Sequence, residues 1–522
     1  MKHAEPAVHP RSPGPARSPG SARSPGSARS PGSVAAVDLG ATSGRVMIGH
    51  VDHNELSVRP VARFANAPVA QADGLHWNVS ALYERAISGL RAALADEPDI
   101  RSIGIDSWAV DYGLLANGRM LVEPFHYRDD RTAAGVAAVH SRVSPEELYA
   151  RNGLQFLPFN TLYQLAADAR LGAADTALLI PDLLAFWMTG RRVAERTNAS
   201  TTGLLGVATG EWDGELMERL GLPRALLPEL VDPGVTIGAL LPEVAERIGA
   251  VRPMHVIAVG SHDTASAIVA VPTASDDFAY ISCGTWGLVG VELDTPVLTQ
   301  ESRAANFTNE RGVDGRVRFL HNVMGLWLLS ESVRTWKAAG ESIDLPSLIA
   351  AAAAVTRPVP ILNANDPRFF APGDLPARIA EWLGERNLPA PRNHIEATRI
   401  IIESLADAFA RSVVSASQLS GRPASVIHIV GGGSQNQLLC QLTADRSGLP
   451  VVAGPVEATA IGNVLIQARA QGFASGSLES LRALVARAFV PTVYRPQSLA
   501  WRTNSPRSNT NQPTSAPVLE TP

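Results

Sequence analysis

The chain has 522 residues, 45% hydrophobic and 18% charged, with 45 Lys and Arg against 50 Asp and Glu for a net charge of −5. That length exceeds one compact core and suits two large domains of ordinary globular composition. The negative balance, with no basic run interleaved with aromatics, argues against a nucleic-acid binder, and no apolar run approaches the roughly 20 residues needed to span a bilayer. The two cysteines, Cys283 and Cys440, lie far apart in apolar contexts. They offer neither a disulfide framework nor a cysteine metal site, which fits a reducing, cytoplasmic compartment.

In chain order, residues 1–33 repeat Arg-Ser-Pro-Gly at Arg11, Arg17, Arg23 and Arg29. Nothing apolar offsets the entropy of ordering them, so a disordered arm is expected. Ser33 to Val51 reads as strand, glycine turn, strand, a hairpin with small polar residues at its tip. Helical spacing runs over Asn78–Leu94, and Ile103–Leu115 returns to strand character. Helices are expected around Pro145–Arg151, Leu162–Leu171 and Pro181–Met188, and a polar loop over Thr197–Gly203. Val256–Val259 reads as a buried strand that Gly260 breaks, followed by a helix that Pro272 stops.

The second half restarts this grammar with Ala279–Leu293, again strand, glycine turn, strand. Helices follow over Gly325–Ala338 and His394–Leu419. Val426–Val430 is a strand running into a glycine turn at Gly431–Asn436, and the last helices lie near Gly462–Gln471 and Ser480–Ala488. Two α/β domains with a cleft between them are expected, over 34–272 and 273–492, with a loose tail from 493 to 522.

Three glycine turns follow apolar strands: Gly40-Ala-Thr-Ser-Gly44, Gly284-Thr-Trp-Gly287 and Gly431-Gly-Gly-Ser-Gln-Asn436. Glycine admits close approach of an anion to the backbone, and Ser or Thr hydroxyls add ligands for phosphate oxygens. Taken singly, each is also an ordinary turn. None fits the Gly-x-x-x-x-Gly-Lys-Ser/Thr loop or the dinucleotide Gly-x-Gly-x-x-Gly pattern. Asp263 falls at a strand's carboxyl end, beside the positive end of a helix dipole. From the residues alone it is either a helix cap or a rigidly held base aimed at a hydroxyl.

Other residues are more ambiguous still. Asp106 and Asp111 read as one strand, five apart and facing opposite ways, with turn, ion-pair and sugar-binding roles all open. Trp108 and Trp286 suit either a ligand face or the core. Glu457 reads as a loop or cap residue rather than a second base. His76, His126 and His255 lack zinc-ligand spacing.

The order of these segments resembles the sugar-kinase, actin and heat-shock ATPase superfamily, and within it the FGGY carbohydrate kinases. The resemblance is carried by Val37-Asp-Leu-Gly-Ala-Thr-Ser-Gly-Arg45, Gly104-Ile-Asp-Ser-Trp-Ala-Val-Asp-Tyr112, Asn152-Gly-Leu-Gln-Phe156 and Gly260-Ser-His-Asp-Thr264. It continues through Ser282-Cys-Gly-Thr-Trp286, Asn306-Phe-Thr-Asn-Glu310, Asn322-Val-Met-Gly-Leu-Trp327, His428-Ile-Val-Gly-Gly-Gly433 and Ala453-Gly-Pro-Val-Glu457. It covers about Val34 to Pro491.

The resemblance implies two ribonuclease H-like α/β domains with an interdomain catalytic cleft, the actin-like ATPase fold. It implies an ATP- and magnesium-dependent kinase for L-rhamnulose, with fuculose, xylulose or another polyol as alternatives and a non-catalytic sugar or nucleotide sensor as a different class. By position, Ala41, Thr42, Ser43, Gly44, Arg45, Thr285, Ser330 and Gly432 would meet ATP, and Asp38 the metal. Ala109, His262, Asp263, Thr264 and Asn322 would meet the sugar, with Asp263 the proton acceptor. Two positions depart from the family: Ala109 stands where Gly is usual, and Ser330 where a longer Gln reaches towards the nucleotide. A monomer or weak homodimer is expected, with sugar and ATP as its partners.

Overall fold

The computed structural model describes residues 31–497. The repeat arm up to residue 30 and the tail from 498 lie outside the described residues. The first strand, Gly32–Leu39, is buried along its whole length. Its alternating side chains feed two different cores: Ala35, Val37 and Leu39 enter one, Val34 and Ala36 another. A strand buried on both faces needs this unbroken run of apolar and small residues.

Each half is built on the same strand order. In the first sheet the strands are Leu56–Ala65, Ser43–Val51, Gly32–Leu39, Ile100–Ser107 and His255–Ile257, side by side in that sequence, with Thr236–Ala239 at the far edge. Numbered along the chain, the five are ordered 3-2-1-4-5, the first three antiparallel and the last two joined in parallel. The second sheet repeats this with Val317–Met324, Trp286–Leu293, Phe278–Cys283, Val426–Val430 and Val451–Ala453. Thr308–Arg311 and Thr492–Tyr494 extend its edges. This is the ribonuclease H-like arrangement twice over, with the glycine turns after strands 1 and 4 aimed at the space between the halves.

Apolar packing holds each sheet to its helices. In the second half the long helix His394–Ser420 starts at Asn393, whose side chain accepts from Glu396 N, and ends at Gly421 in the left-handed region (φ 68°). Its Ile400, Ile401, Leu405 and Phe409 pack on Val289, Val323 and Ile427. A third core joins the halves. Helix Ala458–Gln471 lies against helix Asp263–Val269, and Ile461, Val464 and Leu465 meet Val34, Ala36, Tyr280 and Leu320. The approach is so close that a Cβ at Gly462 would lie 1.8 Å from the Ser266 carbonyl oxygen.

Two expectations are corrected. Thr197–Gly203 is not an open loop: Arg196–Ala199 is a helical turn, and Thr197 and Asn198 are fully buried. The Glu195 carboxylate makes this possible by accepting from Thr197 N, Thr197 Oγ1 and Asn198 N. Asp106 and Asp111 do not share a strand, because the chain leaves the sheet after Ser107 and re-enters a separate small sheet at Tyr112. Among the described residues, no helix is long and apolar enough to cross a membrane.

Candidate active site

The three glycine turns converge on one cavity of about 340 Å³ between the two sheets. The first turn closes with Gly40 N donating to Ser43 O at 2.8 Å, and Asn66 Nδ2 braces Gly40 O at 2.9 Å. The second is tied to the following helix by Leu326 N donating to Gly284 O. In the third, Gly431 takes φ 81°, a value that favours glycine, and Ser434 Oγ donates to its carbonyl at 2.7 Å. A Cβ at Gly284 or Gly432 would meet nothing within 4 Å, so the backbone there borders open space. Such bare backbone at strand ends suits a polyphosphate.

At the other end stands Asp263. His262 holds the N-cap position without a side-chain capping bond, so Asp263 is the first helical residue and does not serve as the cap. Its side chain is about 30% exposed and lines the cavity. Ser107 N donates to Ser261 O at 2.9 Å, which fixes this turn to the end of the fourth strand. Glu195 accepts from both Ser261 N and Ser261 Oγ, at 3.0 and 2.8 Å.

His262 is oriented from the opposite half. Arg318 Nη2 lies 3.1 Å from its Nδ1, while its Nε2 lies 3.4 Å from Asp263 Oδ1. The same Nδ1 lies 3.3 Å from Glu310 Oε2, so the ring is held between an Arg318–Glu310 pair on one side and Asp263 on the other. Glu310 pairs with Arg318 at 3.0 Å. Burial pushes the Glu310 carboxyl up, but the Arg318 charge and the His262 contact together outweigh it and hold the group below the usual range.

Asp38 is the penultimate residue of the first strand, directly in register with Asp106 on the fourth. Arg45 Nε donates to Asp38 Oδ2 at 2.8 Å. Burial still leaves Asp38 above its ordinary value, with the charge of Asp263 adding to the effect. Asp106 is raised further, by burial and then by the Asp38 charge, and its Oδ1 has no hydrogen-bond partner. A hard divalent cation suits this group of carboxylates, because its charge offsets their mutual repulsion. Among the described residues, no cluster of three or more His, Cys, Asp or Glu is arranged to hold a metal. A cation here would need most of its ligands from elsewhere than protein side chains, which magnesium, with its preference for phosphate oxygens and water, would tolerate.

Of the residues singled out in the sequence, Asp38, Ala41, Thr42, Ser43, Arg45, Ala109, His262, Asp263, Thr264, Thr285, Asn322 and Gly432 all line this cavity. Gly44 and Ser330 are not among its lining. Gly44 is a strand residue whose Cβ would collide with the Phe64 ring at 2.2 Å, so packing requires the glycine. Ser330 is exposed on the helix Trp327–Ala338.

Three further residues belong to the site. Gln155 Oε1 accepts from Asn322 N and Nδ2 at 2.8 and 3.0 Å, fixing that amide across the cleft. Glu310 also lines the cavity. Glu457 precedes helix Ala458–Gln471, and its Oε2 pairs with Arg45 at 2.6 Å. Gln155 and Glu310 lie within the sequence segments that carry the resemblance, but only the fold reveals their neighbours.

Residues 33–270 match the N-terminal domain of the FGGY family of carbohydrate kinases, and residues 279–471 match its C-terminal domain. The chain belongs to the FGGY family. Among similar proteins, the rhamnulokinase of Bacteroides thetaiotaomicron is 41% identical over 471 residues, 89% of this chain and 96% of that protein. The rhamnulokinase of Pectobacterium carotovorum is 42% identical over 475 residues, 89% of this chain and 93% of that protein. Among solved structures, xylulose kinase from Lactobacillus acidophilus superposes with a TM-score of 0.72 at 18% identity, covering 89% of this chain and 94% of that one. Plasmodium falciparum glycerol kinase with ADP gives 0.68 at 15% identity, covering 89% and 95%. These structures share the fold, and the FGGY match assigns the glycine turns and the Asp263 segment to one sugar-kinase architecture.

Proposed function

We propose that this FGGY kinase transfers the γ-phosphoryl group of ATP to L-rhamnulose, giving L-rhamnulose 1-phosphate and ADP in L-rhamnose breakdown. The observation that carries the kinase reading is Asp263, about 30% exposed in the same cavity that the three glycine turns border. The choice of sugar rests on the rhamnulokinases, similar to this chain over nearly their whole length.

In this reading residues 34–272 hold the sugar and the first phosphate turn, and 273–492 supply the rest of the nucleotide site. Ala41, Thr42, Ser43, Arg45, Thr285 and Gly432 cradle ATP. Gly44 shapes the first turn from within its strand, and Ser330 is too short to add a contact. Ala109, His262, Thr264 and Asn322 surround the sugar. Asp263 accepts the proton of the primary hydroxyl as its oxygen attacks the γ-phosphorus, and the bond to the β–γ bridging oxygen breaks. Asp38 would hold a magnesium ion, which would supply positive charge beside the polyphosphate. Closure of the halves excludes water and limits wasteful hydrolysis. The reaction needs no partner beyond sugar and ATP, which suits a cytoplasmic monomer or weak homodimer.

The test is an ADP-release assay over L-rhamnulose, L-fuculose and D-xylulose. L-rhamnulose is expected to give the highest kcat/KM. If another ketose wins by more than about tenfold, a difference of about 1.4 kcal/mol, the sugar assignment is wrong and the kinase class survives.

A further inference from the structure

Among the described residues, five non-glycine residues have positive φ: Asn117, Asn306, Asp314, Asn387 and Val110. The first four are Asn or Asp, whose short polar side chains tolerate the left-handed region. Val110, at φ 70°, is β-branched and is the outlier. Asp111 N donates to Ala109 O at 2.9 Å, so Val110 is the middle residue of a γ-turn of the rare, strained hand. Strain of this kind persists only where the surroundings over-determine it, and it concentrates at functional sites.

The surroundings do over-determine it. Thr161 Oγ1 donates to Val110 O at 2.7 Å, and Gln164 Nε2 reaches the same oxygen at 3.3 Å. The Asp111 carboxylate gathers four N–H donors. Oδ2 accepts from Trp77 Nε1 at 2.6 Å, Trp108 Nε1 at 3.0 Å and Tyr127 N at 3.2 Å, and Oδ1 accepts from Gln164 Nε2 at 2.8 Å. Asp111 is 1% exposed and is not part of the cavity wall, whereas Trp108, Ala109 and Val110 all are. Ser107, just before the turn, bridges to His262, so this wall stands beside the Asp263 end of the cavity.

We propose that Asp111 is a positioning residue: it clamps the strained 108–110 turn into a rigid wall of the sugar end and thereby sets discrimination among ketoses. The proposal rests on the sugar-kinase reading above. A wall held in one strained conformation cannot relax to accept a ketose of different stereochemistry. Ala109, the departure from the family's glycine, is carried on this same turn, so its methyl presents a fixed contour.

Two variants test it in the full-length chain. Asp111→Asn keeps the shape but must point an NH2 group at one of the four donors. Its least costly orientation faces Gln164, whose amide cannot simply flip, because Oε1 already accepts from Arg131 Nη2 at 3.1 Å. Val110→Gly keeps the fold accessible, since glycine adopts positive φ freely, and removes the strain. Both are expected to raise the ketose KM by about tenfold, leave kcat within about threefold, and shrink the preference between ketoses by about tenfold. The Kd for ATP, measured by titration calorimetry, stays unchanged. A folded Val110→Gly protein with wild-type ketose KM and preference overturns the proposal, as does an equal loss of ATP affinity. If the wild type turns over no ketose, the kinase reading fails. The same variants are then compared by the melting-temperature shift that each ketose induces, and no difference between wild type and Val110→Gly overturns the positioning role as well.

Discussion

Arg45 and Glu457 form an ion pair across the cleft at 2.6 Å, while the same Arg45 guanidinium holds Asp38 Oδ2 at 2.8 Å. The first glycine turn is thus tethered to the opposite half through Arg45, a residue proposed to meet ATP. Arg63 adds a second contact to Glu457. Side chains that are 25% and 21% exposed make a tether of this kind worth about 0.2–1 kcal/mol. Glu457→Gln is therefore expected to lower the KM for ATP by about twofold to fivefold, because Arg45 then leaves one carboxylate, Asp38, rather than two to meet phosphate. An unchanged or higher KM for ATP, from initial rates at saturating sugar, would show that the pair does not compete with nucleotide.

Replacement of the Asp263 carboxylate separates binding from chemistry. Asp263→Asn removes the proton acceptor and keeps the side-chain shape, so kcat is expected to fall by about 100- to 10,000-fold. ATP affinity by calorimetry is expected to stay within about twofold, since the proposed reading takes the phosphate contacts from the glycine turns. A variant that retains more than a tenth of wild-type kcat removes Asp263 from the reaction.

His428 gives the protein a defined acid sensitivity. Burial, then the Arg482 charge, lowers it from an ordinary 6.5 to about 4, and its Nδ1 has no hydrogen-bond partner. The unfolded chain takes up the proton near pH 6.5 and the folded chain only near 4. Stability from neutral His428 is complete above 6.5 and is lost progressively as the pH falls to 4, on the order of 3 kcal/mol in all. His428→Gln, compared with wild type by urea titration at pH 7 and pH 4.5, should flatten that slope. Parallel slopes in the two proteins count against this assignment.

The contact between the halves makes a test of glycine. At Gly462 an added methyl meets the Ser266 backbone at 1.8 Å, whereas at Gly384, the last residue of helix Leu375–Gly384, it meets nothing within 4 Å. Helix propensity favours alanine at both by about 1 kcal/mol. Overpacking costs about 1–3 kcal/mol or more where backbone cannot move, so the clash wins at Gly462. Gly462→Ala is expected to lower the thermal midpoint and Gly384→Ala to leave it level or raise it. Equal shifts would mean that the helices slide apart without penalty.

The hairpins, the long helix and the late glycine turn were legible because period and punctuation agree in them. Leu56–Ala65 was not, since Pro60 argues against a strand. The fold accommodates it with a register shift, pairing Met47 with Pro60 and Val46 with Ala62. The short helices Leu345–Ala353 and Leu375–Gly384 went unread although both open with Asp-Leu-Pro, an N-cap followed by a permitted proline. In the site, the residues at the glycine turns were named through the family resemblance, and the fold brings all of them but Gly44 to one cavity. The Asp111 clamp was not legible, because its donors come from Trp77, Trp108, Tyr127 and Gln164, scattered along the chain and united only by packing.

The core shared by the two sheets also bears on biosynthesis. Residues up to 270 emerging from the ribosome carry Val34, Ala36 and Met47 ready to be covered, but Ile461, Val464 and Leu465, which cover them, are translated nearly 200 residues later. The nascent first half thus exposes a sticky face for the whole of that interval. Splitting the gene between the halves would leave both products prone to aggregate, and co-expression of the two pieces, rather than mixing after purification, is the way to reassemble them.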